Sequence, residues 1–254
     1  MSPEGGASGF NDHFSSVAEG YARYRPTYPD ALFDWLASLC QRRDAAWDCA
    51  TGSGQAASAL AEYFDTVFAT DASREQIEAA KPQERVRYSV ARAEATAFKD
   101  SSFDLVTVGQ ALHWFDVDAF FSEAARVTAP GGVLAAWCYQ VCRVSPEVDA
   151  AVDRLYTQLT GPFWPPERAF IERGYRDFTL PGAELNGPPL AMRLDWRADD
   201  MLGYLRTWSA CHRYELEHGD DPVKIVEPDI MDAWGDAVRT VVWPLTTRVC
   251  RFPD

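Results

Sequence analysis

The stretch WDCATGSGQAA, residues 47–57, runs from an apolar segment into an acid and then into two glycines, Gly52 and Gly54, spaced G-x-G. The residues before it, AAWD (45–48), read as a buried strand, and the alanine-rich run Gln55–Phe64 reads as a helix. A strand that enters a helix through a tight glycine turn is the opening unit of a parallel α/β sheet. Whatever the turn holds sits beyond the carboxyl end of that strand.

The same rhythm continues outward. TVFATD (66–71) is a second strand, and Ser73 opens a helix with Gln76 at capping-box spacing, ended by Pro82. RVRYSV (85–90) and SFDLVTVG (102–109) are the third and fourth strands. Val117, Phe120, Phe121 and Ala124 mark a helix capped by Asp116; Pro130-Gly131-Gly132 reads as a turn, and VLAAWCY (133–139) as the fifth strand. Upstream, Leu32, Trp35, Leu36 and Leu39 repeat at helical spacing behind an aromatic segment broken by Pro26 and Pro29, and residues 1–9 read as disordered. Beyond Tyr139 the rhythm breaks. Ser145 and Pro146 start a helix, residues 199–211 look helical, and 238–252 looks strand-like but is split by Pro244, which suggests an edge strand or a bulge. The expectation is α/β: a Rossmann-like, seven-stranded, mostly parallel sheet with helices on both faces. It comprises one domain over 1–254, with an N-terminal lid and helix (1–43), a cofactor-binding core (44–139), and a substrate-cap insertion with the last strands (140–254).

Bulk properties narrow the function. The formal net charge of −14 repels phosphate backbones, so no nucleic-acid partner is expected. No apolar run is long enough to span a membrane, and no signal peptide is read, so a cytoplasmic protein without a membrane partner is expected. The six cysteines form no C-x-x-C pair and have no histidine nearby in sequence; they read as reduced thiols, and no metal site is expected.

Two cofactor classes fit the glycine turn. Asp71, at the end of the second strand, suits the hydroxyls of a ribose, which NAD and S-adenosyl-L-methionine share. Asp48 separates them. A carboxylate beside the turn repels a pyrophosphate and attracts the ammonium and sulfonium of S-adenosylmethionine.

Two further segments, VARAEATAF (90–98) and GQALHWFD (109–116), fall where the ligand crevice should be. With them the chain resembles the class I S-adenosylmethionine-dependent methyltransferases of the type 11 group, nearest the trans-aconitate methyltransferase-like branch. The set DCATGSGQAA, ATDAS, ARAEATAF, FDLVTVGQALHWFD and APGGVLA over 48–135 carries the resemblance, joined by YARYRPTYP (21–29). The resemblance implies that Asp48, Ala50, Gly52, Gly54 and Gln55 carry the methionine end and Asp71 the ribose. It places Ala72 and Gln76 beside the adenine, Ala93 and Glu94 at its edge, and Gln110 and His113 between cofactor and acceptor. Arg92 stands where many relatives have an aspartate. Tyr21 and Arg25 belong to the segment that folds over the cofactor.

Methyl transfer from a sulfonium is an in-line displacement in which the cofactor supplies the activation, so a strong catalytic motif is not required. His113 is the candidate general base, with a packing role as its rival. A carboxylate acceptor needs no base, being ionised at neutral pH. His113, Trp114 and Arg206 are the candidate acceptor-binding residues, Arg206 as a carboxylate clamp chosen from Arg143, Arg168 and Arg206. The expected activity is transfer of a methyl group to a small molecule by a monomer or homodimer. A silent S-adenosylmethionine-binding protein and an NAD(P)-dependent oxidoreductase are the alternatives.

Overall fold

The computed structural model describes Tyr24 and residues 26–254. The expectations for Tyr21, Arg25 and most of the lid segment lie outside the described residues.

The chain runs α1 (Asp30–Leu39), β1 (Ala45–Cys49), α2 (Gln55–Leu60), β2 (Thr66–Asp71), α3 (Arg74–Ala79), β3 (Val86–Val90), β4 (Phe103–Gly109), α4 (Val117–Val127) and β5 (Thr128–Tyr139). It continues with α5 (Pro146–Arg154), α6 (Arg168–Glu172), β6 (Ala183–Leu185), β7 (Leu190–Trp196), α7 (Ala198–Arg206), α8 (Ser209–His218), α9 (Val223–Trp234) and β8 (Arg239–Arg251). The sheet has eight strands, not seven, in the order β3-β2-β1-β4-β5-β8-β6, with β7 also on β8. The first five are mutually parallel, and β8 runs antiparallel to β5, β6 and β7. Strand order reverses between β1 and β4, so the crevice opens where these two end.

Side-chain alternation sorts the parallel strands onto two faces, both covered. Ala46, Leu105, Val133, Ala135 and Trp137 face α1 and α2, while Trp47, Val106, Leu134, Ala136 and Cys138 face α4 and the rings of Phe98, Phe103 and Phe120. A third core, outside the sheet's parallel half, joins α5, α7 and α9 to β7 and β8 through Leu155, Leu205, Ile230, Trp234 and Trp243. In α1 the buried face is Leu32, Phe33, Leu36 and Ala37, rotated from the expected stripe so that Trp35 lies over Gly187.

Two proline readings change. Pro130-Gly131-Gly132 is a bulged stretch inside β5: Phe103 faces Thr128 but Leu105 already faces Val133. Pro244 lies inside β8, which is an inner strand. Val242 exchanges both backbone hydrogen bonds with Arg143, so alternation aims the Pro244 nitrogen to that same side, into the gap between Arg143 and the end of β5. The missing N–H costs no ladder bond there. All six cysteines are free thiols. No helix among the described residues is long and apolar enough to cross a membrane.

Candidate functional site

Three residues of the β1–α2 loop adopt left-handed backbone: Ala50 at φ 53°, Gly52 at 57° and Gly54 at 89°. Gly54 has a second reason to be glycine, since an added Cβ would collide with the Tyr88 ring. The loop is held from both sides by carboxylates. Asp48, only 1% exposed, accepts from Thr51 Oγ1 at 2.5 Å and from Thr107 Oγ1 at 2.8 Å. The Ala57 N–H, in the first turn of α2, also favours its ionised form. Burial raises its pKa to about 6 against these hydrogen bonds, with the Asp71 charge adding to the rise. Asp71 accepts from Gly52 N at 2.9 Å through one oxygen and from Ser73 N at 2.9 Å through the other.

This bracing spends three of the loop's backbone donors. Thr51 N bonds to Thr70 O, Gly52 N to Asp71, and Gly54 N to Thr51 O. A pyrophosphate needs such N–H groups free. The recess beside the loop, about 70 Å³, is lined by Tyr28, Asp48, Ala50, Thr51, Gln55 and Gly109, with Ala56 behind them. It offers a buried carboxylate and no cationic side chain among the described residues, which suits a cation.

The remaining expected residues divide. Gln55 lines the recess and its amide donates to Pro26 O at 3.2 Å, tying the N-terminal segment to the loop. Gln76 serves the cap of α3 through its backbone, with N donating to Ser73 Oγ at 3.3 Å; its side-chain oxygen lies 3.8 Å from where a Gly52 Cβ would be, beside the loop. Ala72 is exposed next to Asp71, and Ala93 is buried in the aromatic core. Glu94 accepts from Asp116 N and pairs with Arg92 at 3.4 Å, so Arg92 turns to its own neighbour.

Three expectations are corrected. The amide of Gln110 does not face a ligand: its oxygen accepts from Tyr139 N at 2.7 Å and its nitrogen donates to Tyr139 O at 3.2 Å. His113, on a 3-10 turn (Leu112–Trp114), is 8% exposed with Nδ1 at 3.0 Å from Tyr175 Oη, and the two rings stack. Burial, followed by the Arg168 charge, lowers its pKa to about 3, so it is a packed neutral imidazole and a weak base. Trp114, expected at the acceptor, lies partly exposed on the same turn and is not among the residues that line the recess. Arg206 is already neutralised, by Asp221 at 2.8 Å and Glu227 at 2.7 Å, because α7 packs its last turn against the start of α9.

The sequence reading missed Thr107 and Gly109, while Tyr28, read as one of the lid aromatics, lines the recess. Thr107 stands opposite Asp48 in the β1–β4 register. Its signal was available: a hydroxyl inside the buried run LVTVG needs a polar partner. Gly109 admits the Trp137 ring, whose atoms come within 3.0–3.2 Å of an added Cβ, and Tyr28 meets that ring edge-on at 5.3 Å.

A family model described as a methyltransferase domain matches residues 47–136, the segment containing the loop, β2, β3 and β4. The chain is 31% identical over 229 residues to a Dictyostelium discoideum protein provisionally named a methyltransferase, covering 89% of this chain and 87% of that one. A Mycobacterium tuberculosis protein named an uncharacterized methyltransferase is 37% identical over 124 residues, 48% of this chain and 49% of its own length. A solved structure from Anaeromyxobacter dehalogenans, described provisionally as a type II methyltransferase, shares 45% identity and a TM-score of 0.86 over 91% of this chain and 100% of that one. A Bacillus subtilis structure at 19% identity, TM-score 0.52, covering 88% and 98%, has the same fold.

Proposed function

Since this chain belongs to the class I S-adenosylmethionine-dependent methyltransferases, we propose that its β1–α2 recess binds the methionine end of S-adenosylmethionine for methyl transfer to a small molecule, a carboxylate oxygen foremost. The observation that carries this reading is the state of the loop. Its N–H groups at Thr51, Gly52 and Gly54 are spent within the protein, and two carboxylates flank it. That arrangement disfavours a dinucleotide pyrophosphate and favours a cationic amino-acid end.

The residues fit the cofactor. Left-handed Gly52 leaves its part of the loop without a side chain, and Asp48 supplies negative charge inside the recess. Asp71 stands at the end of β2 beside the loop, where its two oxygens accept from Gly52 N and Ser73 N, and there it would meet the ribose hydroxyls. Bound there, the cofactor would supply an electrophilic methyl group on a positively charged sulfur. The protein's part is position and exclusion of water: Tyr28 and Gln55 wall the recess, and Gln110 fixes the end of β5 beside it. No base is assigned. Asp48 is held by two hydroxyls and His113 is buried against Tyr175, which supports an acceptor that is already ionised.

Thermal-shift runs with S-adenosylhomocysteine and with NADH test the cofactor. Stabilisation by the first and none by the second is expected; the reverse overturns the reading. Incorporation of labelled methyl into small carboxylic acids as base-labile ester tests the acceptor class.

A further inference from the structure

A second cleft, of about 360 Å³, opens beyond the end of β5. Gln140 and Val141, which continue β5, form one wall, and Arg143, Tyr156, Arg168 and Glu172 face them. Because β5 lies next to β4, whose Gly109 lines the cofactor recess, both openings share the carboxyl edge of the sheet.

The local chain is shaped for this cleft. After α5 the helix widens into a π turn over Leu155–Leu159, an irregularity found frequently at functional sites. Thr160 Oγ1 donates to Leu155 O at 2.9 Å, and Trp164 Nε1 donates to Tyr156 O at 3.2 Å, so carbonyls of the turn are answered. The turn leaves Tyr156 fixed between two charges. Its hydroxyl accepts from Arg168 Nε at 2.9 Å and donates to Glu172 Oε1 at 2.5 Å.

Arg168 is thereby presented in a defined pose. Its guanidinium lies 4.8 Å from the centroid of the Trp164 ring and 5.5 Å from that of Tyr156. The other two arginines of this segment singled out in the sequence are neutralised, Arg143 by Asp153 and Arg206 by Asp221 and Glu227. Among the described residues no carboxylate comes within ion-pair distance of Arg168, and only its Nε has a hydrogen-bond partner. With Arg143 paired to Asp153, the cleft presents the Arg168 guanidinium beside Tyr156, Val141 and Ile171, and the Glu172 carboxylate is held on the Tyr156 hydroxyl.

We infer that this cleft is the acceptor site and that Arg168 anchors the acid group of a small carboxylate bearing an apolar body. Arginine suits a carboxylate because its edge matches two oxygens. Each carboxylate oxygen has two lone-pair sites, so both oxygens can rest on the guanidinium edge while one still presents a lone pair to the methyl group, and the anchored group and the methylated group can be the same. The inference rests on the methyltransferase reading for its role in catalysis but not for the binding itself.

Isothermal titration with cinnamate, benzoate and octanoate against protein saturated with S-adenosylhomocysteine tests it. At least one of these acids binds at millimolar concentration or tighter, and the matching amide does not. Arg168→Gln weakens that acid about tenfold or more while S-adenosylhomocysteine affinity stays unchanged, which also shows that the variant folds. Arg168→Lys, which keeps charge but loses the planar edge, falls between them. The inference is overturned if none of the acids binds, if the amide binds as tightly, if Arg168→Gln binds like the parent, or if inorganic phosphate displaces the acid at lower concentration. Failure of S-adenosylhomocysteine to bind the parent protein would count against the cofactor reading alone, since Arg168-dependent acid binding is then measured without it.

Discussion

The side-chain amide of Gln110 closes a two-bond ring on the backbone of Tyr139, accepting from its N–H at 2.7 Å and donating to its carbonyl at 3.2 Å. The ring joins the end of β4 to the end of β5, where Tyr139 faces Leu245 of β8 across the sheet. Gln110→Ala leaves two backbone groups without these partners and is expected to cost about 1–3 kcal/mol. Gln110→Glu keeps the acceptor and loses the donor, so a smaller loss is expected. Urea unfolding checks both. If the alanine variant matches the parent in stability yet loses S-adenosylhomocysteine affinity, Gln110 is a ligand contact after all.

Ala50 occupies left-handed backbone at φ 53° in the loop proposed to hold the cofactor. That conformation costs a non-glycine residue roughly 1–2 kcal/mol, against which glycine's greater chain entropy sets about 0.5–1. Ala50→Gly is therefore expected to gain on the order of 0.5–1 kcal/mol. Ala50→Val, with a branched Cβ at positive φ, is expected to lose more than about 1 kcal/mol. Denaturation midpoints decide, and a glycine variant clearly less stable than the parent would remove strain as the explanation.

How much of this was legible from residues alone follows from what each level of sequence encodes. β2 was placed residue for residue because alternation and its acidic end bound it on both sides. Asp116 and Ser73 were visible as caps because their partners, Ala119 N and Gln76 N, are three residues away. Ser145 holds the N-cap backbone position but its hydroxyl makes no cap bond, and Val144 N goes to Asp149 instead. The errors concern long-range neighbours. Arg206 and Arg168 are equivalent as letters, and only the packing of α7 against α9 shows that the first is neutralised. Gln110 likewise sits at the expected strand end, but whether its amide turns to a ligand or to Tyr139 depends on a strand 29 residues on. β6 and β7 were not distinguished because β6 is only Ala183–Leu185 and Pro181, Pro188 and Pro189 interrupt the stretch around it.

The pKa of Asp48, raised to about 6 mainly by burial, is expected to make cofactor binding pH-dependent. A cationic amino-acid end favours the ionised carboxylate, so binding expels the proton that Asp48 carries below that value. S-adenosylhomocysteine affinity is expected to rise as pH goes from 5 to 7 and then level, by at most about tenfold per unit below the pKa. Asp48→Asn keeps a carbonyl acceptor for the threonine hydroxyls and removes the titration, so weaker, pH-flat binding is expected. Titration calorimetry across this range checks it; a parent protein with pH-independent affinity would separate Asp48 from the ligand.

His113 acts on stability in the opposite direction. Its folded pKa, lowered to about 3 first by burial and then by the Arg168 charge, lies below the unfolded value of 6.5. Its contribution is therefore fully present above pH 6.5 and is lost as pH falls toward 3, because the unfolded chain takes up the proton that the buried imidazole refuses. Asp48 opposes this between 6 and 3.8, since an acid with a raised folded pKa favours folding as pH falls through that window. Glu123, held down to about 2 chiefly by Arg126, adds acid sensitivity only below about 4.5. A difference measurement isolates the histidine. His113→Phe keeps a ring against Tyr175 and cannot titrate, so between pH 6.5 and 4.5 the parent should lose stability faster than the variant. The variant starts lower at pH 7 by about 1–3 kcal/mol, because Tyr175 Oη loses its partner. Parallel stability curves would show that His113 is not buried as a neutral ring. A rate profile with an inflection near 6.5 that vanishes in the variant would restore it as a general base.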